Sequence, residues 1–331
     1  MNENANTSAQ TDGSPAPGAV SDLFSAIKRN IAKVIVGKDE AADLLLICLA
    51  TGGHALIEDV PGLGKTSMVA ALAASVDCSF QRVQFTPDVL PSDVTGFTMY
   101  HPVTGEEKFY QGAVMCNILL ADELNRTSPK TQSALLQAMQ EGAVTVDGVT
   151  RVLPRPFMVC ATQNPVEHAG TYPLPEAQLD RFLMRIGMGY PSRTDEAAIL
   201  ARNRGGAVRA PLSPVANAGD VLSMQTALDH VLCSAPVVAY IVDIVQRTRK
   251  HEGVSLGVSP RGAIALMRAS MGHALLKGRN YTIPDDVQAM ANHTLCHRLI
   301  PNIHAYTQSQ SAEQILADVL RLVPVPVVAG T

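Results

Sequence analysis

Tryptophan is absent from this chain of 331 residues, and aromatic residues of all kinds make up only 4% of it. A core built from such a sequence is aliphatic, and few rings remain on which nucleic-acid bases could stack. A basic excess is missing as well: 26 Lys and Arg stand against 30 Asp and Glu, a formal charge of −4. That balance lacks the electrostatic footprint of a nucleic-acid binder. The six cysteines, Cys48, Cys78, Cys116, Cys160, Cys233 and Cys296, include no Cys-x-x-Cys pair, so they outline neither a zinc site nor a dithiol. They read as buried free thiols in a reducing compartment. No apolar run approaches the ~20 residues needed to span a bilayer. The stretch from Met1 to Val20 is rich in Ala, Ser, Asn, Pro and Gly and lacks the basic start and apolar stretch of a signal peptide. Residues 1–20 are expected to form a disordered tail, and the cytoplasm is the expected location.

What the chain does contain is 47% hydrophobic residues, enough for a sizeable core. Leu23, Phe24, Ile27, Ile31 and Val34 recur at helical spacing, and a second helix is predicted over Asp43–Ala50. Short apolar strands are predicted at Ala55–Ile57, Arg82–Phe85, Asn117–Ala121 and Phe157–Ala161. A helix over Lys65–Ser75 follows the first of them. Ser128-Pro129 is a helix start and Gly142 a helix stop. Val144–Val152 carries Asp147-Gly148 between β-branched residues, a hairpin signal. Beyond Pro191 the pattern is helical, near 194–203, 220–230, 236–250, 260–276, 284–299 and 311–321. The expectation is an α/β domain over 21–192 with a parallel sheet between helices, a β-hairpin insert near 143–153, and a small all-helical domain over 193–331.

Two segments carry chemistry. Asp59-Val60-Pro61-Gly62-Leu63-Gly64-Lys65-Thr66 follows a strand and opens a helix, the setting of a phosphate-binding P-loop. Small residues let successive backbone N–H groups curl around phosphate oxygens, and the helix N-terminus favours the anion. Lys65 would face the β- and γ-phosphates and the Thr66 hydroxyl would ligate Mg²⁺. The first position is Asp59 where the pattern has glycine. Taken alone, the segment also reads as a glycine turn with a capping Thr and a solvated Lys. Ser67 reads as a residue of the following helix, within reach of the same phosphates. The second segment, Ile118–Glu123, is an apolar strand ending in Asp122 and Glu123. At the carboxyl end of a parallel strand, Asp122 can hold Mg²⁺ and Glu123 can polarise water. Exposed acids at a strand end are the plainer alternative.

Three longer runs carry a family resemblance: Ala121–Gly142, Ala161–Glu167 (Ala-Thr-Gln-Asn-Pro-Val-Glu) and Gly170–Phe182, which ends in Leu-Asp-Arg-Phe. Together with the phosphate loop they resemble the MoxR family of AAA+ ATPases over about Val36 to Arg298. Asp59 fits this likeness, since relatives carry Glu-Asp-Val-Pro-Gly at the loop. The resemblance implies that Asn164 senses the γ-phosphate, that Arg181 acts as an arginine finger on the neighbouring subunit's ATP, with Arg185 as a second candidate, and that Arg261 in Val258–Gly262 is the sensor-2 arginine. Read without the family, these are an Asn-Pro turn, a surface arginine and a capped helix start. Val36-Gly37 matches the place where adenine packs, and the hairpin at 144–152 resembles the helix-2 insert of this branch. The likeness further implies ATP and Mg²⁺ as cofactors, a homo-oligomer of hexamer type, and a protein client with a von Willebrand factor A-type domain.

The expected activity is therefore Mg²⁺-dependent ATP hydrolysis by a ring-forming chaperone that remodels or matures a partner protein. A P-loop kinase and a nucleotide-gated binding module with little turnover are the alternatives. The i, i+4 pair His293 and His297 lacks the Glu of a zinc-protease helix and reads as chance. Phe97, Tyr100 and Tyr110 read as hairpin or core packing as readily as a substrate-touching loop.

Overall fold

The computed structural model describes residues 17–60, 62–100, 102, 105–163, 170–203, 212–303, 305 and 310–327. The chain begins with α1 (Pro17–Ala32) and α2 (Asp39–Ala50), then β1 (Ala55–Glu58), α3 (Lys65–Ser75) and β2 (Phe80–Gln84). Helix α1 starts inside the stretch expected to be tail as far as residue 20. Val20 adds one more turn to the apolar stripe of Phe24, Ile27 and Ile31, and all four are buried.

After β2 the chain makes an excursion through α4 (Pro91–Thr95) and a hairpin, β3 (Gly96–Tyr100) with β4 (Glu107–Gln111), before entering β5 (Ile118–Asp122). Helix α5 (Pro129–Glu141) follows, with Ser128 Oγ accepting from the Thr131 N–H and Gly142 closing it at φ +60°. Then come the hairpin β6 (Ala143–Val146) and β7 (Val149–Val152), the strand β8 (Met158–Gln163), the short α6 (Glu176–Leu179) and β9 (Met184–Ile186). Asp147 and Gly148 both have positive φ, as a tight two-residue hairpin turn requires.

The order of the main sheet is β2-β5-β8-β1-β9, with every pairing parallel. Alternation along the strands sends Ala55 and Ile57, Ile118 and Leu120, and Met158 and Cys160 to one core. Leu56, Leu119 and Ala121, and Val159 and Ala161 go to a second core on the opposite face. Both faces are covered, which is why these strands read as unbroken apolar runs.

The hairpin at 143–152 lies where the sequence placed it, but its place in the chain corrects the comparison with a helix-2 insert. It sits between α5 and β8, after the acidic strand. The excursion that interrupts the crossover after β2 is the α4–β3–β4 segment.

The C-terminal part is helical: α7 (Arg193–Asn203), α8 (Ala218–Asp229), α9 (Ala235–Arg249), α10 (Pro260–Leu276), α11 (Pro284–Leu295) and α12 (Ala312–Leu322), with one two-stranded ribbon of β10 (Val254–Leu256) and β11 (Ile300–Pro301). Helix α2 is apolar nearly all round because it lies between the sheet and these helices. Gly272 of α10 lets the two helices meet, since a Cβ there would stand 2.8 Å from Ile47 Cγ2. Among the described residues no helix is long and apolar enough to cross a membrane.

His54, at the start of β1, ties three elements together. Its Nδ1 accepts from the Val159 N–H at 3.0 Å, which leaves Nε2–H to donate to Met139 O at 3.2 Å. Burial lowers its pKa to about 4, with the charge of Arg261 adding in the same direction and the Met139 carbonyl opposing. A depressed histidine is neutral in the fold, so its contribution is complete above about pH 6.5 and is lost as pH falls toward 4. That contribution is on the order of 3 kcal/mol. Urea unfolding at intervals from pH 7 to pH 4 is expected to show stability falling through this window, with a shallower fall in His54→Asn. An unchanged slope in the variant would remove His54 as a cause.

Candidate functional site

At the carboxyl ends of β1, β5 and β8 a cavity of about 380 Å³ opens, lined by Gly62, Gly64, Lys65, Thr66, Ser67, Arg82, Gln84, Asp122, Glu123, Thr162 and Gln163. Gly62 and Gly64 have φ of +87° and +86° with open space where a side chain would be, so left-handed backbone and not crowding requires glycine there. Lys65 Nζ donates to Asp59 O at 2.8 Å, which folds the lysine across the loop. Thr66 and Ser67 follow in the first turn of α3, at the end of the helix that carries its positive dipole. Pro61 lies outside the described residues. Val60 and Leu63 belong to the loop but do not line the cavity.

Asp59 explains the departure from glycine. Its Oδ1 accepts from the Val60 N–H at 2.9 Å, and its Oδ2 accepts from Met188 N–H at 2.7 Å and Gly189 N–H at 2.6 Å. Lys38 Nζ donates to the carbonyls of the same two residues, at 2.8 and 2.6 Å. The carboxylate therefore ties the start of the loop to the turn after β9. It is occupied by backbone donors and acts on the cavity through the shape of the loop.

The two acids at the end of β5 are held by one hydroxyl that the sequence reading passed over. Thr162 Oγ1–H donates to Asp122 Oδ1 at 2.6 Å, and the same oxygen accepts from the Glu123 N–H at 2.9 Å. Asp122 Oδ2 pairs with the guanidinium of Arg82, at 2.7 Å to Nη2 and 3.2 Å to Nε, and Arg82 also donates to Gln84 Oε1 at 3.1 Å. Glu123 sits at φ +56°, a left-handed conformation for a side chain with a Cβ, and pairs with Arg126 Nη1 at 3.1 Å. Such local strain collects at functional positions, where the surrounding structure holds it. Gln163 Nε2 is buried beside the cavity with no partner among the described residues. Arg82 and Gln84 were legible only as polar residues in a strand, and Thr162 and Gln163 only as members of the Ala-Thr-Gln-Asn run.

A second cavity of about 180 Å³ abuts the same helix, lined by Ile31, Ile35, Val36, Gly37 and Met68 among others. Gly37 has φ +67°, and a Cβ there would stand 2.2 Å from the Asp195 carboxylate. Apolar Ile31, Ile35, Val36 and Met68 share the lining with charged Lys28, Lys38, Asp39 and Arg202, and Val36 and Gly37, the candidate adenine contacts, both belong to it.

The remaining sequence-derived candidates are not gathered at the cavity. Asn164 lies outside the described residues. Arg181 follows α6 and precedes β9, at the end of the sheet opposite the loop: Leu183 N–H donates to His54 O at the start of β1, whereas the loop leaves from its finish. The offset is about a strand's length, ~13 Å. Arg261, in the first turn of α10, is exposed and lies close enough to His54 and Arg298 to act on their charges. Neither arginine lines its own chain's cavity, so the expectation that Arg261 reaches these phosphates is not met within one chain. Neither forms an ion pair with a described residue. Arg185 does: it pairs with Glu58 at 3.5 Å and with Glu313 of α12, which takes it out of contention as a free finger.

Hard oxygen donors from Thr66 and Asp122 match the preferences of Mg²⁺. Asp122 already holds one cation, and the unpartnered Gln163 donor and the loop amides suit an anion beside it. The residues thus fit a nucleotide with its divalent ion.

Comparison with known proteins agrees with this geometry. The family model of the ATPase family associated with various cellular activities (AAA) matches residues 54–184, and the AAA lid domain matches 246–319. YeaC, an uncharacterized protein of Bacillus subtilis, is 52% identical over 92% of this chain and 95% of its own length. Chaperone MoxR1 of Mycobacterium tuberculosis is 40% identical, covering 89% of this chain and 80% of that one. A crystal structure from Cytophaga hutchinsonii superposes with a TM-score of 0.87 at 38% identity, over 94% of this chain and 97% of that one. With an AAA sheet domain, a helical lid and relatives of this closeness along nearly its whole length, the chain belongs to the MoxR family of AAA+ ATPases.

Proposed function

We propose that the chain hydrolyses ATP with Mg²⁺ as part of a homo-oligomeric ring, hexameric as in the family resemblance, and uses the cycle to remodel or mature a partner protein. The observation that carries the reading is Thr162, whose single hydroxyl orients Asp122 and fixes the backbone of Glu123 in the lining of the 380 Å³ cavity. Lys65, Thr66, Ser67 and the amides of Gly62 and Gly64 would take the phosphates, and Val36 and Gly37 the base. Thr66 and Asp122 would hold Mg²⁺, which supplies charge neutralisation for the β- and γ-phosphates. Glu123 orients the attacking water, Asn164 senses the γ-phosphate as the family resemblance implies, and Gln163, before it in the chain, lines the cavity.

Arg181 is proposed to complete the site of the neighbouring subunit, as its distance from its own cavity and the lack of an ion pair among the described residues support. Arg261, on the same side of the molecule, is proposed to work at that same boundary. The partner protein is the least constrained element. The name of the 40%-identical chaperone supports a protein client, and a von Willebrand factor A-type domain enters from the family resemblance alone. The cytoplasm remains the proposed location.

Phosphate release with Mg²⁺ and ATP checks the assignments. Lys65→Ala is expected to abolish both binding and turnover. Glu123→Gln is expected to keep nucleotide affinity and lower turnover by about a hundredfold or more, and a variant that turns over like the parent contradicts the role given to Glu123. Asp59→Gly restores the glycine of the general motif, yet it leaves the Met188 and Gly189 amides without their acceptor, at a cost of roughly 1–3 kcal/mol for the buried Met188 N–H and less for the exposed Gly189 N–H. Its predicted effect is weaker binding of a fluorescent ATP analogue. Binding as tight as the parent's would contradict the anchoring role.

A further inference from the structure

Arg181 is flanked by two carbonyls that a single side chain from the lid holds. Arg298, just beyond α11, is buried at 7% exposure. Its Nη2 donates to Asp180 O at 3.1 Å and Phe182 O at 2.6 Å, one on each side of Arg181. Nη1 reaches Leu183 O at 3.2 Å and also Thr294 O, and Nε reaches the Asp180 carboxylate at 2.6 Å. All three nitrogens of the guanidinium are engaged, an arrangement open to the planar arginine fork and closed to lysine.

The other oxygen of Asp180 accepts from Ser259 Oγ at 3.0 Å. Ser259 is the N-cap of α10, its Oγ accepting in turn from the Gly262 N–H at 3.1 Å, and Arg261 stands in the turn it caps. Gly262 completes the fit: a Cβ there would stand 2.9 Å from Arg298 Cδ and 2.5 Å from Val258 Cγ1, so glycine leaves the path for the arginine stem. Asp180 is thus the meeting point of three parts: the backbone that carries Arg181, the helix start that carries Arg261, and the lid arginine.

We propose that Asp180, Arg298 and Ser259 are positioning residues, a clamp through which the lid of one subunit sets the aim of its Arg181 on the nucleotide of the next. The inference rests on the reading of Arg181 as a group acting across the subunit boundary. Because the lid holds the finger segment through a buried multi-point contact, a displacement of α10 or α11 carries Arg181 with it. Misplacement of a charge-stabilising group by about 1 Å costs on the order of a hundredfold in rate, so the clamp need move little to gate hydrolysis next door.

Mixed assemblies test this by side. Lys65→Ala subunits cannot turn over ATP but can lend a finger, and Arg181→Ala subunits bind ATP but lack one. Mixing the two is expected to restore phosphate release that neither shows alone. Asp180→Asn is then added to one chain at a time, with thermal unfolding and assembly size measured for each. On the lending chain it is expected to remove about a hundredfold of the restored rate; on the Arg181→Ala chain it is expected to leave recovery unchanged. Arg298→Lys, which keeps the charge but not the fork, is expected to show the same sidedness, and so is Ser259→Ala to a smaller degree. Equal losses on either chain mean the clamp serves folding alone and overturn the proposal, as does no loss on either. If the parent mixture never recovers, the reading of Arg181 fails before the clamp is touched, and the clamp falls with it.

Discussion

Everything in this molecule hangs on the parallel register of β1 between β8 and β9. Ala55 lies opposite both Cys160 and Met184, so the three strands run in step. Parallel strands put all their carboxyl ends on one side, and there the phosphate loop, the acidic pair and the Thr162–Gln163 end of β8 converge. The same register puts the amino ends of β1 and β9 on the other side, where His54, the Arg181 segment and the start of α10 converge. One sheet thus presents two unlike ends, a cavity whose lining suits an anion and a surface with two arginines that form no ion pair among the described residues. Such a pair of ends suits an assembly in which each copy completes the next.

Within the cavity, polarity is economical. Asp122 is the main buried acid, and both its oxygens are spoken for, one by a hydroxyl and one by a guanidinium. Glu123 lies outside the strand ladder in strained backbone, its N–H held by Thr162 and its carboxylate paired with Arg126. Two neighbouring acids therefore stand in different environments, one fixed as a cation holder and one turned toward the cavity, and two different tasks follow from that difference.

Much of this was legible in the sequence, and the misses have physical reasons. The helices expected at about 65–75 and near 260–276 stand there because their starts are marked, one by Gly64 after the loop and the other by the Ser259 cap with Pro260. Strand β9 was missed: three residues after Phe182 are too few to show a period. The β3–β4 hairpin stood only as one of several readings of Phe97, Tyr100 and Tyr110, because these residues and Met99 are exposed and half of its pattern has no buried face to record. Asp59 looked like a flaw in a motif because its partners, Met188 and Gly189, lie far along the chain. Arg82, Asp180 and Arg298 carried no local signal for the same reason: their meaning lies in long-range contacts, and a single sequence shows only near neighbours. Arg261 was placed at a helix start in the second domain, as observed, but its separation from its own chain's cavity was not legible, since sequence order does not say against which edge a lid packs.

The central claim is that the working site is shared between copies of the chain. It is tested most directly by phosphate release per subunit, measured with Mg²⁺ and ATP over a range of protein concentrations alongside assembly size. The account predicts specific activity that rises from near zero in step with assembly. Specific activity that is constant down to concentrations where the protein is monomeric would contradict it.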